Sequence, residues 1–176
     1  MVRSQDTVAS TGAERRSPDS RPIFVLDTEL PLLPAGECAE WLLPIWQSAW
    51  QSSLPGLVLI HEKQHSRLVD HLQQRIASFS AIQLDPQQID SLADVVRAAL
   101  DGGATLIAGG IAASHQEWLA AMFVNLLPTS TLLQPDCGRG PILTVMRTTA
   151  TETATAILEQ LSATGQPLQI YTPAHS

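Results

Sequence analysis

Asp85-Pro-Gln-Gln-Ile-Asp-Ser-Leu-Ala-Asp-Val-Val-Arg-Ala-Ala-Leu-Asp-Gly-Gly-Ala104 runs into Thr105-Leu-Ile-Ala-Gly-Gly-Ile111 and then Ala112-Ala-Ser-His-Gln-Glu-Trp-Leu-Ala-Ala-Met-Phe-Val-Asn-Leu-Leu127. The first part carries Ile89, Leu92, Val95, Val96, Ala99 and Leu100 at helical spacing. Asp85, Pro86 and Gln88 supply an N-cap, a proline at the first helical position and a back-bonding amide. Gly102-Gly103 ends the helix, and Ala104 to Ile111 read as an apolar strand. Ser114-x-x-Glu117 has the form of a capping box, so Trp118, Leu119, Met122, Phe123 and Leu126 predict a second amphipathic helix, stopped at Pro128. Helix, strand, helix is the rhythm of an open α/β sheet.

A nucleotide-binding member of that class places a Gly-rich loop ending in Lys-Ser/Thr, or G-x-G-x-x-G, at such a junction. Neither pattern occurs in the chain. The expectation is therefore a domain that binds a partner rather than turning over a nucleotide, with no cofactor.

Outward from that block the alternation continues. Pro22 to Leu26 and Leu57 to Ile60 read as apolar strands, and a helix from about Gly36 carries Cys38, Trp41, Leu42, Ile45, Trp46 and Ala49, with Pro44 inside it or at its first turn. Ser66 to Ala77 reads as a helix and Ser80 to Leu84 as a short strand. Beyond Pro128 follow a β-type run at Thr131 to Leu133, a turn from Pro135 to Gly140, a strand at Ile142 to Met146, a helix within Thr148 to Thr164 and a last strand at Leu168 to Tyr171. The predicted fold is three-layer α/β/α with a mostly parallel sheet. Residues 1–21 read as a polar, disordered leader, and 22–176 as one α/β domain.

The chain has 176 residues, 10 Lys+Arg against 17 Asp+Glu, and a net charge of −7. A nucleic-acid groove needs clustered cations, and Arg15-Arg16 is the densest pair, so nucleic acid is not an expected partner. No run approaches the roughly 20 apolar residues of a membrane span, and no secretory h-region follows Met1. A cytoplasmic protein without a membrane partner is expected, and a homodimer stays open. Cys38 and Cys137 lack the C-x-x-C spacing and read as reduced thiols.

Candidate chemistry is sparse. His61, His65 and His71 lack the further ligands a zinc site needs. Cys137, next to Arg139 in Pro135-Asp-Cys-Gly-Arg139, has the look of a loop thiol near a cation but reads as an incidental surface cysteine. The four tryptophans Trp41, Trp46, Trp50 and Trp118 read mainly as core. Asp27, Glu29 and Asp85 stand at strand ends, where α/β active sites form, without a companion set. No catalytic or metal-ligating residue emerges.

The words Glu40-Trp-Leu-Leu-Pro44, Leu57-Val-Leu-Ile60, Ser66-Arg67, Ala81-Ile-Gln-Leu84 and Leu92 to Gly102 resemble the SulA-type SOS cell-division inhibitors over about residues 36–128. The resemblance implies a RecA-like fold without an ATP site, no enzymatic activity, binding to FtsZ that blocks its polymerisation, and clearance by the Lon protease. Leu59 matches that family's apolar interface strand and Arg67 its basic helix start. With Lys63 they form the implied partner-binding edge. Two other readings stay open: a small α/β enzyme or nucleotide sensor, and a degenerate RecA-like adaptor subunit of a DNA-repair or secretion ATPase.

Overall fold

The computed structural model describes residues 6–9, 20–28, 33–149 and 153–173. Strand β1 (Asp6–Ala9) lies within the expected leader, whose remaining residues up to 19 fall outside the described ones. Strand β2 (Arg21–Leu26) leads to helix α1 (Ala35–Gln47), which holds Pro44 in its interior without breaking. Strand β3 (Gly56–His61) is followed directly by α2 (Glu62–Ala77), so this helix starts a full turn before Ser66. His61 sets that start, its ring Nδ1 accepting from the Lys63 amide at 3.2 Å.

Strand β4 (Ile82–Gln83) precedes α3 (Pro86–Asp101), where the capping box is realised: Asp85 Oδ1 accepts from the Gln88 amide at 2.8 Å and Gln88 Oε1 accepts from the Asp85 amide at 3.2 Å. Gly103, at φ 96°, turns the chain into β5 (Thr105–Ala108).

The helix expected after Ser114 does not form. Residues 112–124 make three short strands instead, β6 (Ala112–Ser114), β7 (Glu117–Trp118) and β8 (Ala121–Val124). Gly109 and Gly110 take φ 57° and 75° and fold the chain into a hairpin, closed by the Gly110 amide on Leu119 O and the Leu119 amide on Ile111 O. Ala121 to Val124 are buried throughout, and a short apolar run of this kind fits a helix or a buried strand equally well by spacing. A single-turn helix (Thr131–Leu133) replaces the β-type run expected there. Strand β9 (Ile142–Thr148), α4 (Ala154–Ser162) and β10 (Leu168–Thr172) complete the chain.

Seven strands form the main sheet in the order β1-β10-β2-β3-β9-β8-β5, and β4-β7-β6 form a small second sheet. All neighbours in the main sheet are parallel except β5, which pairs antiparallel with β8. The α/β class and the mostly parallel sheet follow the sequence reading. Strands β2, β3 and β9 are buried along nearly their whole length, as expected of parallel strands covered on both faces. Phe24 stacks on Tyr171 with ring centroids 5.4 Å apart and meets Trp41 edge-on at 5.8 Å, and Trp46, Trp50 and Phe79 form a second aromatic chain. The tryptophans are therefore core groups, Trp46 as much as Trp118.

Candidate functional site: a cleft at the carboxyl rim

Ligands of open α/β sheets collect beyond the carboxyl ends of the parallel strands. A small cleft opens there, lined by Val25, Leu26, Thr28, Leu33, Ala35, Cys38, Ile60, Gln64 and Pro173. Register explains its floor. Leu26 pairs with Ile60, and Ile60 with Arg147, in parallel ladders whose partners point to the same face. Pro173 lies two residues past Tyr171, the partner of Phe24, and so stands at the same level of the sheet. Pro173, Leu26, Ile60 and Arg147 thus form one row across four strands. The first three bound the cleft and the fourth is an exposed cation.

The cleft wall is apolar apart from Thr28, Gln64 and the Cys38 thiol. Burial, with Glu37 adding to it, pushes the Cys38 thiol up, and its Sγ donates to Leu33 O at 3.5 Å. It is a protonated wall group rather than a nucleophile. His65, in the first turn of α2, is half-buried, and burial followed by the nearby Arg147 charge pulls its pKa down.

On the other side of the same rim, Asp27 ties three elements together. One carboxylate oxygen accepts from the Thr148 hydroxyl at the end of β9, and the other from the Ala154 amide at 2.8 Å, at the start of α4. Of the strand-end carboxylates, Asp27 and Asp85 are therefore spent on helix N-termini, and Glu29 lies outside the described residues.

A second polar cluster lies at the amino rim. Arg21 is fully buried, and its guanidinium donates to Gln166 Oε1 at 2.7 Å, to Pro55 O and Leu132 O at 2.8 Å each, to Gln134 O at 3.2 Å and to Cys137 Sγ at 3.8 Å. Burial lowers the Arg21 pKa and raises that of the Cys137 thiol, with Arg21 opposing the latter. Cys137 Sγ donates to Leu132 O at 3.4 Å, so this cysteine packs into the fold and is not an incidental surface group. Both cysteines are free thiols. Among the described residues no cluster of His, Cys, Asp and Glu could hold a metal, and no helix is long and apolar enough to cross a membrane.

The expected partner-binding edge is not an edge. Leu59 is 0% exposed in β3, flanked by β2 and β9, while Lys63 and Arg67 stand exposed on α2. A side chain sealed between strands and helices cannot touch a partner. Arg21, Gln64 and Arg147 went unnoticed in sequence. Arg21 looked like the end of a leader, and Arg147 joins the cleft row only through strand register.

No family model and no curated protein matches the chain. Solved structures do. The chain is similar to an NAD-dependent aldehyde dehydrogenase from Sinorhizobium meliloti (17% identity, TM-score 0.61, 88% of this chain and 36% of that one). It is similar also to a lactaldehyde dehydrogenase (10%, 0.63, 87% and 38%) and to the glyceraldehyde-3-phosphate dehydrogenase GapN from Methanocaldococcus jannaschii, complexed with NADP (13%, 0.57, 86% and 39%). The chain spans less than two fifths of the length of each. At these identities the likeness establishes the fold alone. It overturns the SulA resemblance and with it the division-inhibitor function, the SOS role and the non-enzymatic expectation; FtsZ and Lon as partners rested on that resemblance only. The fold of this chain is one found in aldehyde dehydrogenases.

Proposed function

We propose that the chain is the carbonyl-binding domain of an aldehyde-dehydrogenase-type enzyme, holding its substrate in the cleft at the carboxyl rim. The observation that carries this reading is the combination of the shared fold with an apolar cleft bounded by β2, β3 and β10. Thr28, Gln64 and the Cys38 thiol are the polar side chains in an otherwise apolar wall.

The nicotinamide dinucleotide named for two of the neighbours does not fit the described residues. A pyrophosphate wants a free helix N-terminus. Here Asp85 fills that of α3, Asp27 and Thr153 that of α4 and His61 that of α2, while that of α1 has no side-chain cap but carries the Glu37 charge in its first turn. Two of these four positions already hold a carboxylate bonded to the helix amides. In this reading the dinucleotide is held by protein beyond the described residues, and the present ones bind and orient the aldehyde and keep water from its tail.

Thermal melts test this. Short and medium aliphatic aldehydes should raise the melting temperature with concentration, and NAD or NADP alone should not. Stabilisation by a dinucleotide without any by aldehydes, or by neither, contradicts the proposal.

A further inference from the structure

We infer that the outer edge of β10 is a strand-binding site, and that two copies of the chain fill it for each other by exchanging β1. Within one chain β1 runs parallel to β10, with Asp6 opposite Gln169 and Ala9 opposite Thr172. The bonds of such a ladder are main-chain to main-chain, so β10 can receive the same strand equally well from a second copy.

Three observations support it. First, β10 carries none of the devices that keep an open edge from pairing. Leu168-Gln-Ile-Tyr-Thr172 has no charge, no proline and no register shift against β2. The opposite edge of the main sheet does carry them: β5 is bulged between Leu106 and Ala108, and Gln73 Nε2 donates to Ile107 O at 3.0 Å, taking up a carbonyl of that strand. An edge left as regular as β10 is one that a strand covers. Second, β10 is the one element that β1 touches extensively, and among the described side chains the core runs from Ile23 to Tyr171. β1 can therefore leave one chain and dock on another with little of the remaining fold disturbed. Third, the connection is short. β1 and β2 lie on either side of β10 and both run parallel to it, so the chain has to return past β10 between Ala9 and Arg21. Residues 10–20, eleven in number, join the two strands, at the lower limit of about a dozen for a parallel crossover. A hinge this short favours exchange, in which each β1 reaches a second copy's β10 and its own crossover need not close.

The test is disulfide trapping in the full chain. Ala9 and Thr172 are register partners in a parallel ladder, close enough for a disulfide to span. Ala9→Cys and Thr172→Cys are coexpressed as separate chains, oxidised mildly and read by non-reducing electrophoresis. Mass spectrometry of the linked peptides sets them apart from links through Cys38 or Cys137. A two-chain species joined between positions 9 and 172 is expected, together with a light-scattering mass of two chains for the unaltered protein. Adding Thr7→Pro/Val8→Pro to the Ala9→Cys chain should abolish that species, because alternate residues of β1 bond to β10 and one of the two prolines removes a ladder donor. A link that survives both prolines reports chance collision and overturns the exchange. A single-chain mass, with the double variant Ala9→Cys/Thr172→Cys linking only within one chain, overturns it too. No link in either arrangement overturns the strand-binding site as well.

Discussion

Arg21 Nε donates to Gln166 Oε1 at 2.7 Å across 145 residues of chain, and both side chains are buried. Gln166 passes the contact on, its Nε2 donating to Leu133 O at 3.0 Å and to the Thr164 hydroxyl at 2.8 Å. All five guanidinium donors of Arg21 are used, four on oxygens and one on the Cys137 sulfur, so a buried cation is held by dipoles instead of a carboxylate. Its removal would take a donor from the carbonyls of Pro55, Leu132 and Gln134, leaving Leu132 O to the Cys137 thiol and Gln134 O to the Cys137 amide.

Arg21→Met should therefore cost about 3–5 kcal/mol, the range for breaking a buried charged network. Arg21→Lys keeps the charge but not the planar fork, and should recover only part of that loss. Urea denaturation reads both. A loss below about 1 kcal/mol for Arg21→Met would show that the node is not a structural anchor.

Gly109→Ala should be among the most damaging single changes. An added Cβ would stand 1.8 Å from the carbonyl oxygen of Ala120, and the residue sits at φ 57°. Backbone cannot yield as a side-chain tip can, so a loss of about 4 kcal/mol or an insoluble product is expected. Gly103→Ala, which meets nothing within 4 Å at φ 96°, should cost only about 1 kcal/mol, and the pair compared by thermal melting separates clash from backbone strain.

Asp27→Ala removes the carboxylate that accepts from the Ala154 amide and ties the start of α4 to β9, with the Thr153 N-cap left in place, and should cost about 1 kcal/mol. The same variant frees the Ala154 amide, so inorganic phosphate should stabilise Asp27→Ala more than the parent protein. Equal phosphate response in both would count against the carboxylate acting as a built-in anion at that helix end.

These groups differ in how far sequence alone could reveal them. The helix α3 was legible to the residue because its cap is local: Asp85, Pro86 and Gln88 act within one turn. The parallel sheet was legible through the unbroken apolar run of β3 and the mostly apolar Ile142 to Met146 of β9. The segment after Ser114 was not, because Trp118, Leu119, Met122 and Phe123 satisfy helical spacing and hairpin burial alike, and the choice was made by the left-handed Gly109-Gly110 pair. The cleft was invisible for a different reason. Its floor joins Leu26 of β2, Ile60 of β3 and Pro173 just past β10, brought level only by register, and no window of sequence contains more than one of them.

The shifted groups set the pH range of stability. Cys38 and Cys137 have thiol pKa values raised by burial, so the folded chain holds their protons more tightly than the unfolded one. That contribution is whole below the ordinary thiol range and is lost as pH climbs through the raised folded values. His65 is shifted downward, so its contribution is whole above the ordinary histidine range and is lost as pH falls through its lowered folded value. Denaturation at a series of pH values should show stability falling on the alkaline side, less so in Cys38→Ala/Cys137→Ala, and an acid-side loss reduced in His65→Gln. Alkylation at neutral pH should be slow at both cysteines.

The most direct test of the carbonyl site is a methyl-resolved NMR titration of the protein with octanal. The account predicts that the resonances of Val25, Leu26, Leu33 and Ile60 shift together and saturate at one ligand per chain. Shifts confined to the neighbourhood of Arg21 and Cys137 at the opposite rim, or no shifts at all, would contradict it.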